Sequence, residues 1–187
     1  MPQGNPKELI LVLGGARSGK SSWALKYVEE IYQSYVFLAT ARVRDEEMAE
    51  RVKLHKNSRG PKWNLLEEPL EVPGTIRAKC GSYDCVLVDC LTIWLSNVML
   101  EKGDEKVMTY GKALLEALAS RPQAIILVSN EVGMGIVPEH ALGRRFRDYA
   151  GFMNQEVAKL ADKVVFMVAG LPMFLKGGPD SPSLTNP

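Results

Sequence analysis

The chain has 187 residues, 46% of them hydrophobic and 24% charged, the range of a globular domain long enough to bury a real core. Lys+Arg 23 against Asp+Glu 22 leaves a net charge of +1, which excludes the dominant basic field of a nucleic-acid binder and leaves any phosphate chemistry to local sites. No apolar run approaches the roughly 20 residues of a membrane span, MPQGNPKE does not form a signal peptide, and three cysteines without an export signal argue against a disulfide scaffold, so a reduced, cytoplasmic protein is expected.

Residues 1–7 read as an N-terminal extension. Residues 8–13 (ELILVL) read as a buried strand ended by Gly14-Gly15, and Ser21 to Gln33 as a helix. Residues 35–39 (YVFLA) form a second short β-prone run. Asp45 starts a helix, with Glu46 and Glu47 in the first turn where the dipole favours them, and Gly60-Pro61 stops it. A looser segment follows to Gly81, with a short helix before Cys80. Residues 85–88 (CVLV) and 124–128 (AIILV) are further strands, separated by helical stretches near 92–101 and 105–119. A long amphipathic helix is expected from Glu139 to about Ala161, then a strand at 164–169 (VVFMVA). Residues 177–187, rich in Gly, Pro and Ser, read as a flexible tail after a working domain of residues 8–176. Strands spaced by helices indicate an α/β fold, a mostly parallel sheet with helices on both faces.

The stretch Gly14-Gly15-Ala16-Arg17-Ser18-Gly19-Lys20-Ser21 fits GxxxxGK[ST] between a strand and a helix. Glycines let backbone N–H groups turn inward around phosphate oxygens, and the helix adds its positive N-terminal end. Lys20 carries a point charge for the β/γ-phosphates, and the Ser21 hydroxyl is an oxygen ligand for Mg²⁺. Arg17 either touches phosphates or is solvated. Asp89 ends the Val86-Leu87-Val88 run at the carboxyl edge of a parallel sheet, where an acid serves Mg²⁺; the other reading is an Asp that caps the next helix.

His55 lies on one face of the 45–60 segment with Met48, Arg51 and Val52, close to Lys56 and Arg59. Among cations an imidazole is held toward its neutral, nucleophilic form, yet a surface histidine fits the spacing as well. Cys80, Cys85 and Cys90 lie five apart, unlike zinc ligands, and read as small semi-buried thiols. Glu131 reads as a Mg²⁺ ligand, a general base or a turn residue. Arg144, Arg145 and Arg147 read as phosphate contacts or as ion pairs along the long helix.

Together these blocks resemble one family. GGARSGKS, Ala39-Thr40-Ala41, DEEMAERVKLHK, the Trp63…Glu67 spacing, VLVDCLTIWLSN, SNEVGMGIVPE and GRRFRDYAGFMNQEVAKLADKVVFMVAGLP are similar to the bifunctional adenosylcobinamide kinase / adenosylcobinamide-phosphate guanylyltransferases of cobalamin biosynthesis. The resemblance covers roughly residues 8–176, and its most specific blocks are NEVGMGIVP and FRDYAG…NQ. It implies a RecA-like P-loop NTPase fold, often assembled as a trimer. It implies phosphorylation of the aminopropanol hydroxyl of a corrinoid by a nucleoside triphosphate, ATP or GTP. GMP is then transferred from GTP through a GMP-histidine intermediate, giving adenosyl-GDP-cobinamide and pyrophosphate. His55 matches that histidine, and Leu54 stands where some relatives carry another. The nucleotide contacts implied are Gly14 to Ser21, Ala39, Thr40, Ala41, Lys56, Asn57, Ser58, Arg59, Glu67 and Asp89. Two other functions fit the bare motifs: a single-activity P-loop small-molecule kinase with His55 as a surface residue, and a GTP-binding module without chemistry. The latter lacks a guanine-reading NKxD sequence.

Overall fold

The computed structural model describes residues 7–42 and 60–178. The extension 1–6, the tail 179–187 and the segment 43–59 with the expected Asp45 helix, His55, Lys56, Asn57, Ser58 and Arg59 lie outside the described residues.

Among the described residues seven strands form one sheet: β1 (Leu9–Gly14), β2 (Tyr35–Ala39), β3 (Asn64–Glu67), β4 (Cys85–Asp89), β5 (Ala124–Val128), β6 (Lys163–Val168) and β7 (Leu171–Lys176), in the order β3-β2-β4-β5-β1-β6-β7. All neighbours are parallel except β6 and β7. The helices are α1 (Lys20–Ile31), α2 (Val72–Lys79), α3 (Leu91–Lys102), α4 (Val107–Ala119, after a 3₁₀ turn at Asp104–Lys106) and α5 (Ala141–Leu160).

The central strands are covered on both faces, which is why they read as continuous apolar runs. β1 and β5 are buried at every position. Strand alternation sorts their side chains into two cores. Leu9, Leu11 and Leu13 face Ile76, Trp94, Leu114 and Val157 of α2 to α5. Ile10 and Val12 face Ala24, Leu25 and Val28 of α1. Burial of each such aliphatic side chain is worth about 1.5–3 kcal/mol. Among the described residues the two faces are unequal, with one helix against four. At the amino end of the sheet, Lys163 pairs with Glu8 (2.6 Å), which also accepts from the Tyr27 hydroxyl.

Two strands depart from the sequence expectation. The segment after Gly60 contains β3, and the residues after the expected strand 164–169 contain β7. Both are edge strands with mostly exposed residues, so neither carries a buried apolar run. Pro172 has no N–H to give a ladder and is tolerated at an edge. The β6–β7 turn is Ala169-Gly170, with φ of 51° and 82°, the two left-handed residues that a tight hairpin needs. An alanine in the first of these positions hides the signal.

Candidate functional site

The phosphate loop leaves β1 at its carboxyl end and returns into α1. Gly14 (φ 148°) and Gly19 (φ 97°) hold conformations that favour glycine. A Cβ on Gly14 would lie 2.6 Å from the Met167 carbonyl oxygen and 2.7 Å from Ser18 Oγ. Gly19 precedes α1, and no side chain caps the helix, so its first N–H groups face the loop. Gly15, Ala16 and Arg17 are exposed, Ser18, Gly19 and Ser21 half-buried. Arg17 itself takes a left-handed φ of 56°.

Two backbone bonds fix this loop from neighbouring strands. Glu131 N–H, just past β5, donates to the Gly14 carbonyl (3.1 Å), and Gly170 N–H, in the β6–β7 turn, donates to the Ser18 carbonyl (3.0 Å). Sequence reading missed the Gly170 contact, because the residue lies 152 positions from its partner in a turn without the usual signature.

Lys20 is 7% exposed, and its Nζ donates to the Gly15 carbonyl. Burial lowers its pKa, and the neighbouring Cys90 and Asp89 oppose that shift. Burial pushes the Cys90 thiol up to about 12, so at neutral pH Cys90 is uncharged. Asp89 is therefore the anion beside Lys20. Cys80 and Cys85 are also buried and free, with pKa raised by burial, in keeping with small inert thiols.

Asp89 is the last residue of β4 and is not a helix cap. The N-cap of α3 is Cys90, whose Sγ accepts from Ile93 N–H (3.4 Å). The sheet register sets Glu67, Ala39, Asp89 and Val128 in one row across β3, β2, β4 and β5. The expected site residues of those strands thus share the sheet edge from which the phosphate loop springs. Glu67 is exposed there; Ala39 and Ala41 are half-buried.

Thr40 has a different use. It is fully buried, and its hydroxyl accepts from Cys90 N–H (2.8 Å) and donates to the Cys90 carbonyl (2.8 Å). Its own N–H donates to the Asp89 carbonyl (3.2 Å), and its carbonyl accepts from Asn97 Nδ2 (2.9 Å). Its hydroxyl and N–H hold the end of β4, and its carbonyl ties that place to α3. The Asp89–Cys90 peptide at that point is cis.

The arginines of α5 are engaged within the protein. Arg144 donates to the carbonyls of Pro138 and Glu139, Arg145 pairs with Asp104 (2.7 Å), and Arg147 pairs with Asp148 (3.3 Å). The Glu131 carboxylate accepts from Gly133 N–H (3.0 Å) in a local turn. Among the described residues no group of three or more His, Cys, Asp or Glu could hold a metal, and no helix is long and apolar enough to cross a membrane. The donor set that remains, the Ser21 hydroxyl and the Asp89 carboxylate, is all oxygen. It suits Mg²⁺, which takes one or two protein ligands and completes its shell with phosphates and water.

The fold has a counterpart among solved structures. An ATPase from the type III secretion system of pathogenic bacteria superposes with a TM-score of 0.60 over 90% of this chain and 57% of that chain, at 12% identity, a likeness of fold. The fold is that of a RecA-like P-loop NTPase. Relatives in sequence are nearer. The bifunctional adenosylcobalamin biosynthesis protein CobP of Pseudomonas aeruginosa is 46% identical over 169 residues, 90% of this chain and 98% of the relative. The proteins of the same description called CobU in Escherichia coli and Salmonella typhimurium are 35% and 36% identical over 181 residues, covering 90% of this chain and 99% of theirs. The model of cobinamide kinase / cobinamide phosphate guanyltransferase matches residues 10–175. Because that match runs from within β1 to within β7, taking in the whole sheet and not the phosphate loop alone, the chain belongs to the cobinamide kinase / cobinamide phosphate guanyltransferase family.

Proposed function

We propose that this protein is a bifunctional enzyme, phosphorylating adenosylcobinamide on its aminopropanol hydroxyl and then joining GMP to the phosphate so formed. The observation that carries the reading is a phosphate loop with a buried Lys20 beside Asp89, in a chain matched to the family along residues 10–175.

In the first step the corrinoid hydroxyl oxygen attacks the γ-phosphorus of ATP or GTP. A new O–P bond forms, the bond to the bridging oxygen breaks, the hydroxyl proton passes to solvent, and the nucleoside diphosphate leaves. Gly14 to Ser21 cradle the phosphates, and Lys20 neutralises charge on the β/γ-phosphates. Mg²⁺, held by Ser21 and Asp89, would supply further charge neutralisation. Burial of Lys20 at the loop supports this role, since a charge acts more strongly where water is excluded.

In the second step an imidazole nitrogen of His55 attacks the α-phosphorus of GTP, and pyrophosphate leaves. An oxygen of the corrinoid phosphate then displaces His55, giving adenosyl-GDP-cobinamide. Nucleophilic catalysis divides one difficult displacement into two. Lys56, Asn57, Ser58, Arg59, Ala39, Ala41 and Glu67 complete the nucleotide set in this reading, with Thr40 behind them as a support. His55 and its neighbours are assigned on family resemblance.

A chain of this size handling two reactions suits one shared nucleotide site and a homo-oligomer, a trimer in this reading. The exposed row Leu171, Met173 and Leu175 along edge strand β7 supports assembly, since such a row is costly in water. The protein is read as cytoplasmic, and residues 8–176 as its working unit, with the tail 177–187 dispensable.

The test is incubation with α-labelled GTP and Mg²⁺ followed by denaturation. Acid-labile label on the wild type, absent from His55→Ala, is expected, with cobinamide phosphorylation retained in the variant. Phosphorylation without any covalent label on the wild type would reduce the reading to a kinase alone.

A further inference from the structure

Three polar side chains behind the sheet edge are buried and far apart in sequence: Thr92 at 8%, Ser129 at 1% and Asn154 at 5% exposed. They form a closed ring with one backbone residue. Asn130 N–H donates to Thr92 Oγ1 (2.7 Å), and the Thr92 and Ser129 hydroxyls lie 3.2 Å apart. Ser129 donates to Asn154 Oδ1 (2.8 Å), and Asn154 Nδ2 donates to the Asn130 carbonyl (3.3 Å). Ser129 has one hydroxyl proton and gives it to Asn154, so the proton between the two hydroxyls is that of Thr92. Every donor then points the same way around the ring, an arrangement in which each bond polarises the next. The Asn154 amide has one orientation only, because turning it over would set two acceptor oxygens face to face at Asn130.

The ring grips both backbone groups of Asn130. The next residue, Glu131, donates its N–H to the Gly14 carbonyl at the start of the phosphate loop. In the strand order β5 lies between β4, which ends in Asp89, and β1, which feeds the phosphate loop. Thr92 follows Asp89 by three residues and ties β4's exit to the same ring. The ring thus joins α3, β5 and α5 to the loop, although none of its members reaches it.

We propose that Thr92, Ser129 and Asn154 are positioning residues for phosphoryl transfer, acting through Asn130 and Glu131 on the mouth of the phosphate loop. Misplacement of catalytic groups by about 1 Å costs on the order of 100-fold in rate, so a rigid ring at this distance sets kcat more than affinity. The inference rests on the kinase reading.

The experiment compares Thr92→Val, Thr92→Ser, Asn154→Ala and the double variant Thr92→Val/Asn154→Ala in cobinamide phosphorylation. Thr92→Val is isosteric and lacks the hydroxyl. It and Asn154→Ala are expected to lower kcat about tenfold with nucleotide KM changed by less than about twofold. Thr92→Ser is expected to restore most of the rate. The double variant should be no slower than the slower of Thr92→Val and Asn154→Ala, because both changes break one ring. Losses that multiply, or kcat unchanged in Thr92→Val and Asn154→Ala while their melting temperatures fall, would overturn the proposal. A wild type that phosphorylates no cobinamide fails the kinase reading alone. The ring is then judged by amide hydrogen exchange: faster exchange at Glu131 in Thr92→Val upholds the clamp, and unchanged exchange overturns it.

Discussion

Thr40 is the residue where resemblance and structure point to different work, and Thr40→Val separates them. Valine keeps the shape of threonine and deletes the hydroxyl that spans Cys90. The Cys90 N–H loses its acceptor in a fully buried place, which costs about 1–3 kcal/mol. The Cys90 carbonyl loses one of two donors but keeps Trp94 N–H (3.1 Å), a further loss of about 0.5–1.5 kcal/mol. Burying a methyl in place of a hydroxyl returns about 1 kcal/mol at most. The net cost is about 0.5–3.5 kcal/mol, which for a domain of this length lowers Tm by about 1–14 °C. Thr40→Ser keeps the hydroxyl and loses one buried methyl, a cost of about 1 kcal/mol. Urea denaturation of both variants, with the slope checked for constancy, gives the stabilities directly. Isothermal titration with a nucleotide gives affinity. The expected pattern is a stability loss larger in Thr40→Val than in Thr40→Ser, with the rate falling because Asp89 is displaced. A Thr40→Val protein as stable as wild type, yet unable to bind nucleotide, would refute the argument and make the hydroxyl a direct contact.

Lys20→Met removes a buried charge, leaving the Gly15 carbonyl, on an exposed residue, to be met by water and Asp89 without the cation beside it, a loss smaller than the desolvation that is relieved. Nucleotide affinity is expected to fall roughly 100-fold or more, since charge-assisted bonds are worth about 1.5–3 kcal/mol each, while thermal stability holds or rises. The folded pKa of Lys20 lies below its unfolded value of 10.5, so between the two the unfolded chain binds more protons and wild-type stability rises with pH. The stability gap between Lys20→Met and wild type should therefore narrow over that window in urea titrations, and wild-type affinity for triphosphate should weaken as Lys20 loses its charge. A gap that widens with pH would contradict the burial argument. Gly14→Ala is expected to destabilise the fold by about 1–3 kcal/mol, because φ is 148° and its Cβ would meet the Met167 carbonyl at 2.6 Å. Gly15→Ala, with nothing within 4 Å of its Cβ, should stay within about 0.5 kcal/mol of wild type; calorimetry of the pair checks both.

The sequence alone determined whatever depends on neighbours along the chain. GGARSGKS is contiguous, and its glycines, lysine and serine are the chemistry a phosphate needs, so the loop was legible before any fold. Central strands such as AIILV were legible because burial on both faces leaves an unbroken apolar run. The limits of α1, α3, α4 and α5 fell within about two residues of the periodicity. Strands β3 and β7 were not legible, because an edge strand lacks that double burial. Tertiary structure decided which polar residues serve which partner. Thr40 looks like a nucleotide contact in its motif, and only the approach of β4 shows its hydroxyl committed to Cys90. Asp89 was open between metal and cap until Cys90 proved to be the cap. Arg145 pairs with Asp104, 41 positions away, a partner that no spacing reveals, whereas Arg147 pairs with its chain neighbour Asp148. Thr92, Ser129 and Asn154 are unremarkable one by one, separated by 37 and 25 residues, and become a ring only where three elements meet at the sheet edge. A hydrogen bond is short-ranged and directional, so its partner is written in space and not along the chain.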